Sequence, residues 1–307
     1  MTLLRVGLVG TGYWAATVHA VALAAHPRVE LAGVWGRDPD RAAALAGPLG
    51  VPVAPSVAAL TDRVDALAFA VPPQVQAGYA VAAARAGRHL LLEKPTGLDL
   101  AQAAGVADAV RAAGVASVVF LTRRYCPSVT AVLAAAAADP GWLGGRVTML
   151  SSIFGTGSPY AGSTWRRERG GLWDLGPHAL SLLVPVLGPV RRVAAVGGPA
   201  AGTHLTCVHG GGAVATVTLS LDCPPAAQHA HTVLYGASGW LTVPEPDVPA
   251  VTALAAALDE LCDAAAGRPP AGPLPRCDAE LGRDQVAVLC AAQDSLDRGG
   301  VPVDLPG

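Results

Sequence analysis

A short apolar run over residues 5–9 passes directly into Gly10-Thr11-Gly12-Tyr13-Trp14-Ala15 and then into a helical stretch through His19 and Ala25. Strand, glycine turn and helix in that order leave few folds open. In the pattern G-x-G-x-x-A, Gly10 permits a tight reversal, Gly12 lets a pyrophosphate approach the backbone, and the small Ala15 allows the helix to pack closely. The helix N-terminus then faces the anion. The segment predicts a dinucleotide-binding turn.

Short apolar runs alternate with alanine-rich stretches as far as residue 121, the signature of a parallel sheet with crossover helices. Strands are predicted over 4–9, 29–35, 65–71, 88–92 and 116–121, with a weak one over 51–53, and helices between them. At the end of the second strand such a unit normally carries an acid for the ribose hydroxyls. Here the chain reads Val34-Trp35-Gly36-Arg37-Asp38. Gly36 presents no carboxylate to repel a 2'-phosphate, and Arg37 can hold one through charge-assisted hydrogen bonds. The pattern favours NADP, with NAD as the alternative if Arg37 is a solvated residue and Asp38 caps the next helix.

Lys94 is the one lysine among 21 basic residues, and it lies between Glu93 and Pro95 after Leu90-Leu91-Leu92. An ammonium is compact, donates in three directions and shifts its pKa when desolvated, whereas a guanidinium stays planar and charged. A strand ending in Glu-Lys-Pro delivers that amine to the carboxyl edge of the sheet, where open α/β folds bind ligands. The balance of 21 basic and 23 acidic residues gives no electrostatic reason to expect nucleic acid or an anionic membrane, which leaves a small-molecule partner. The N-terminal ten residues are too short and glycine-broken for a secretory signal, and nothing approaches a membrane span, so a cytoplasmic protein is expected. Six widely spaced cysteines read as reduced, buried thiols. His19, His26, His89, His204, His209, His229 and His231 show no metal-binding spacing, and no metal is predicted.

The chain beyond residue 121 has a different texture. Strand-like runs over 146–153, 191–198, 203–209, 213–221, 230–236 and 239–243 are separated by glycine and proline turns. No charged residue falls between Val193 and Leu221, and over 213–221 apolar residues alternate with Thr216, Thr218 and Ser220. One face of that sheet is apolar and the other small, polar and uncharged, which suits burial against another subunit. Helices over 249–266 and 278–298 are expected to cover the apolar face. Asp174 and His178 stand four apart where a helix begins, so both can project from one side. Their chemistry suits hydride transfer: His178 as general acid/base near neutrality, Lys94 holding the substrate oxygen, and Asp174 orienting substrate or imidazole.

Taken together, residues 6–12, 70–73 and 86–95, Arg123-Arg124-Tyr125 with Pro127, and residues 170–178 make the chain resemble the Gfo/Idh/MocA oxidoreductases. The resemblance extends over nearly the whole length, including a closing helix within 278–303. It implies a Rossmann domain over 1–121 and, over 122–307, an α/β domain with an open, mostly antiparallel sheet used to form homodimers or homotetramers. It further implies that the closing helix packs back near the first domain and that the Lys94–Pro95 bond is cis. The cofactor residues it implies are Gly10, Thr11, Gly12, Tyr13, Trp14, Gly36, Arg37, Val71, Pro72, Glu93 and Lys94. Catalysis falls to Lys94, Asp174 and His178, and substrate contacts to Arg124, Tyr125, Trp165 and Arg166.

Two departures stand out: Gln76 where the family often has His, which bears on cofactor-side contacts, and Ser181 where it often has Asp, which bears on the substrate. The reading is an NAD(P)-dependent oxidoreductase acting on a secondary alcohol or ketone of a sugar, polyol or derivative. The alternatives are a non-catalytic cofactor-binding regulator and a reductase of an imine or unsaturated bond.

Overall fold

The computed structural model describes residues 3–306. The chain divides into two compact units. One takes the described residues up to Tyr125 together with Val248–Ala271 and Arg276–Arg283; the other takes Cys126–Asp247, Gly272–Pro275 and the described residues from Asp284 onward.

In the first unit, β1 (Leu4–Val9), β2 (Val29–Trp35), β3 (Ala66–Phe69), β4 (His89–Leu92) and β5 (Ser117–Val119) form a parallel sheet in the order β2-β1-β3-β4-β5. Val6, Leu8, Leu67, Phe69, Leu90, Leu91 and Leu92 are fully enclosed. Continuous apolar strands are what a sheet covered on both faces selects. The strand order reverses between β1 and β3, and open sheets of this kind hold ligands at the carboxyl ends beside such a reversal.

The crossovers are a π-turn, Ala15–His19, running into α1 (Ala20–Ala25), then α2 (Pro39–Ala46), α3 (Val57–Thr61), α4 (Pro73–Arg85) and α5 (Leu100–Ala113). Asp38, Ser56 and Asp99 cap α2, α3 and α5 through their side chains, each cap contributing about 1 kcal/mol. The strand predicted over 51–53 reduces to one bridge between Val53 and Val34, because Pro52 has no N–H with which to extend a ladder.

The second unit contains α6 (Pro127–Ala138), β6 (Trp142–Leu150), α7 (Thr164–Leu187), β7 (Val190–Gly198), β8 (Gly202–His209), β9 (Val214–Ser220), β10 (His229–Gly236) and β11 (Gly239–Val243). Two later helices follow, α8 (Ala250–Ala265) and α9 (Ala279–Asp297), and then β12 (Val303–Asp304). The sheet of the second unit runs β11-β10-β6-β9-β8-β7-β12. β6 and β9 are parallel and the other pairings antiparallel. On β9, Ala215, Val217 and Leu219 are enclosed while Val214 and Thr216 are open, so the period-2 pattern read from the sequence does define an inner and an outer face.

What covers the inner face is α7, which packs on β6, β8 and β9, with Trp173 as its largest enclosed side chain. Removing a side chain of that size from a closed interior costs about 3–5 kcal/mol. The expectation that the helix over 249–266 covers this sheet is corrected: α8 belongs to the first unit, where it packs on α1, β4 and β5. Its apolar stripe of Leu254, Leu258 and Leu261 is fully enclosed. Its polar flank is fixed by Arg28, which reaches Asp259 at 2.9 Å and Asp263 at 2.6 Å, one helical turn apart. Periodicity gives a helix its face but does not say which sheet that face meets. The later turns of α9 do meet the second sheet, where Ser295 Oγ accepts from the Ala195 N–H at 2.9 Å. No helix among the described residues is long and apolar enough to cross a membrane.

Candidate active site

The glycine turn has the geometry its sequence predicts. Gly10 adopts φ 129°, and a Cβ there would lie 2.4 Å from the Ala70 carbonyl oxygen, so glycine is obligatory. Its N–H donates to Trp35 O at 2.8 Å, which joins the carboxyl ends of β1 and β2. At Gly12 an added Cβ would meet nothing within 4 Å, leaving open backbone for an anionic group. At Gly36 an added Cβ would come within 2.5 Å of Thr11 Cγ2. The methyl and hydroxyl of Thr11 thus fill the place where an acid on β2 would stand. Asp38 does not substitute for it, since its Oδ1 accepts from the N–H groups of Asp40 and Arg41. Arg37 beside it is exposed. The open backbone at Gly12 fits an anionic group such as the pyrophosphate of a dinucleotide. Val71 and Pro72 leave β3 at the same edge, with Val71 Cγ1 3.3 Å from the built Gly10 Cβ.

Glu93 lies immediately beyond β4. Its Oε1 accepts from Trp14 Nε1 at 2.7 Å and lies 2.8 Å from His19 Nε2. Trp14 and His19 are five residues apart, a spacing that an α-helix would splay to different sides. The π-turn between them closes i→i+5, with the Ala20 N–H donating to Ala15 O, and brings both donors to one oxygen. His19 is fully buried. From α4, the carboxamide of buried Gln76 meets the Glu93 backbone twice: Oε1 accepts from Glu93 N–H at 2.8 Å and Nε2 donates to Glu93 O at 2.7 Å. Lys94 follows, half-buried, and the Lys94–Pro95 bond is cis.

Arg124 and Tyr125 occupy a short 3-10 turn, Thr122–Tyr125, and are 6% and 8% exposed within the first unit. The Tyr125 phenol faces Cys277 and Glu260. Burial first, then those two neighbours, pushes it well above its ordinary pKa. Burial likewise raises Glu260 and pushes the Cys277 thiol up to about 11.

In the second unit, Gly170 at φ 64° and ψ −164° breaks the long α7, and the helix restarts at once. Asp174 therefore sits in a first turn, where the helix dipole favours a carboxylate. Arg166 Nε lies 3.2 Å from Asp174 Oδ2, and its guanidinium is held between the rings of Tyr160 and Trp165, each centroid 4.5 Å away. Arg166, Trp165 and Asp174 thus form one cluster. His178 is half-buried one turn further on. Ser181 donates from Oγ to His178 O at 2.7 Å, so its hydroxyl is engaged by the helix backbone. Among the described residues no group of His, Cys, Asp or Glu is placed to hold a metal ion.

A parallel sheet with this strand order and this glycine turn defines an NAD-binding Rossmann fold of the oxidoreductase class, and residues 4–121 match the family model of that description. Residues 132–242 match the GFO/IDH/MocA C-terminal domain. The chain belongs to the Gfo/Idh/MocA family. It is 30% identical over 189 residues to the uncharacterized oxidoreductase YdgJ of Escherichia coli K12, covering 60% of this chain and 54% of that protein. It is 31% identical over 171 residues to D-xylose 1-dehydrogenase (NADP(+)) 2 of Haloferax volcanii, covering 53% of this chain and 51% of that one. The chain thus spans about half the length of these curated relatives. Among solved structures, levoglucosan dehydrogenase in complex with NADH and levoglucosan superimposes with a TM-score of 0.84 at 20% identity, covering 100% of both chains, a likeness of fold.

His19 carried no role in the sequence reading, and Gln76 figured there as a departure. Both were accessible to it: His19 follows Ala15 and Val18 on the inward side of the first helical stretch, and Gln76 is the one buried polar residue of an alanine-rich α4. The pairing of Arg166 with Asp174 had no sequence signal, because it depends on the break at Gly170. Replacing Glu93 by alanine strands the buried His19 donor and the Trp14 indole, and should cost about 1–3 kcal/mol per stranded group. Thermal unfolding should therefore show Glu93→Ala well below Glu93→Gln, which keeps one acceptor; equal midpoints would remove the carboxylate from this role.

Proposed function

We propose that the protein is an NAD(P)-dependent oxidoreductase interconverting a secondary alcohol and a ketone on a sugar, polyol or sugar derivative. The observation that carries this reading is the placement of Lys94. The chain's one side-chain primary amine stands half-buried at the carboxyl end of β4, in the same unit as the open Gly12 turn. Bound NAD(P) supplies the hydride acceptor or donor. Lys94 donates a hydrogen bond to the substrate oxygen and stabilises the charge that develops there. His178 takes the hydroxyl proton in oxidation and returns it in reduction. Asp174, fixed by Arg166, accepts from a second substrate hydroxyl. Trp165 and Arg166 line the substrate, and the family resemblance adds Arg124 and Tyr125. Support for a sugar-like substrate comes from relatives whose names specify D-xylose and levoglucosan.

Lys94→Met should lower kcat by about 10²–10³-fold in a screen of alcohols and ketones, with cofactor affinity little changed. Turnover at the unaltered rate would sink the reading, and cofactor binding without turnover of any substrate by the unaltered protein would favour a regulator. Asp174→Asn separates polyol oxidation, which it should depress, from reduction of an imine, which it should spare.

We further propose NADP as the preferred cofactor, on the filled position at Gly36 and the exposed guanidinium of Arg37. Arg37→Ala should weaken NADPH about tenfold, the equivalent of one lost charge-assisted hydrogen bond, and leave NADH nearly unchanged in parallel titrations. Equal losses for both would refute the assignment.

The outer face of the seven-stranded sheet, with Val196, Thr206 and Thr216 open, is proposed as the contact of a homodimer or homotetramer. Sedimentation of Thr206→Glu with Thr216→Glu should show monomers, and an unchanged assembly would place the contact elsewhere. A cytoplasmic location accords with six free thiols, five of them buried.

A further inference from the structure

Beyond Leu92, β4 has lost its neighbour on one side. β3 pairs with it in register as far as Ala68 opposite Leu91, and the same register carried two residues on would set Ala70 opposite Glu93. There the chain leaves the sheet through Val71, Pro72 and Pro73 to start α4. Two consecutive prolines supply no N–H, so this crossover cannot continue the ladder. An unpaired peptide at the end of a buried strand is costly and loosely held.

The Gln76 side chain replaces the missing strand. A carboxamide carries an acceptor and a donor side by side, as a peptide does. Gln76 uses them in that way: Oε1 accepts from Glu93 N–H at 2.8 Å, and Nε2 donates to Glu93 O at 2.7 Å and to Pro95 O at 3.4 Å. The two carbonyls bracket Lys94. Gln76 is fully buried, and it sits four residues into a helix whose start is fixed by Pro73, so its reach is set by a rigid element.

We propose that Gln76 is a positioning residue for Lys94, acting as a side-chain extension of the parallel sheet that fixes the backbone on both sides of the amine. This rests on the assignment of Lys94 to the substrate oxygen. A carboxamide is required because, at neutral pH, no other side chain of that length both accepts from and donates to one peptide; leucine does neither, and an ionised glutamate only accepts.

The test is steady-state kinetics with separately measured cofactor affinity. Gln76→Leu should lower kcat about 10- to 100-fold, the scale of a misplacement on the order of 1 Å, while the Kd for the nicotinamide cofactor changes less than about threefold, since the glycine turn is untouched. Hydrogen exchange at the Glu93 amide should accelerate in the same variant. Gln76→Glu keeps the acceptor and regains a donor only when protonated. Its kcat relative to the unaltered protein should therefore rise as pH falls toward the carboxyl range, and this ratio decides the matter if Gln76→Leu does not fold. A kcat retained within about twofold in Gln76→Leu, or a loss confined to cofactor Kd, or a flat Gln76→Glu ratio, overturns the proposal. Lys94→Met measured alongside separates the two failures: full activity there overturns the reading of the site itself, whereas an inactive Lys94→Met beside an active Gln76→Leu overturns the role of Gln76 alone.

Discussion

The carboxylate of Glu93 is the point at which the strand that delivers Lys94 meets the helical segment that follows the glycine turn. One of its oxygens accepts from Trp14 and lies 2.8 Å from His19 Nε2, and those two side chains come to one place because the intervening turn is wound to i→i+5. A π-turn is less favourable than an α-helical one and persists where something holds it. Here the two charge-assisted hydrogen bonds, each worth about 1.5–3 kcal/mol, are what it secures. The glycine turn and the Glu-Lys-Pro segment, some eighty residues apart in sequence, are thereby held as one structure. The conformation of the first depends on the placement of the second.

How far the sequence disclosed this structure differs between its levels. Strand positions in both sheets were legible because the two periodicities were clean: unbroken leucine and valine runs for the covered parallel sheet, and strict alternation over 213–221 for the other. The glycine turn was legible because Gly10 cannot be replaced where the Ala70 carbonyl lies 2.4 Å from any added Cβ. Tertiary assignments were not. α8 reads as a well-formed amphipathic helix, yet the stripe of Leu254, Leu258 and Leu261 could have faced either sheet. The polar flank of α8 meets Arg28, more than two hundred residues away in sequence, through Asp259 and Asp263, a pairing no local pattern announces. β12 is two residues long and carries no periodicity at all.

Within the candidate site the same division holds. Residue types alone single out Lys94, Asp174 and His178 as the residues proposed for the chemistry. Supporting contacts stayed hidden, because Gln76 and Arg166 act through geometry fixed elsewhere: the proline pair that starts α4 and the left-handed Gly170 that interrupts α7. A buried glutamine in an alanine-rich helix and an arginine gripped by two rings are each unremarkable by composition. Each derives its importance from the group it immobilises.

The seven-stranded sheet ends, on its β7 side, in the two residues of β12, and there the Arg192 guanidinium meets the carboxylate of Asp304 at 2.5 Å. β12 pairs with Arg192 and Val193 alone, and the ion pair at that rim sets charge beside the rest of the β7 margin, a feature that deters pairing with a stray chain. On the opposite margin β11 is five residues long and is followed by Pro244, which cannot donate to a ladder. Charge at one margin and proline at the other discourage this sheet from growing sideways into a fibril.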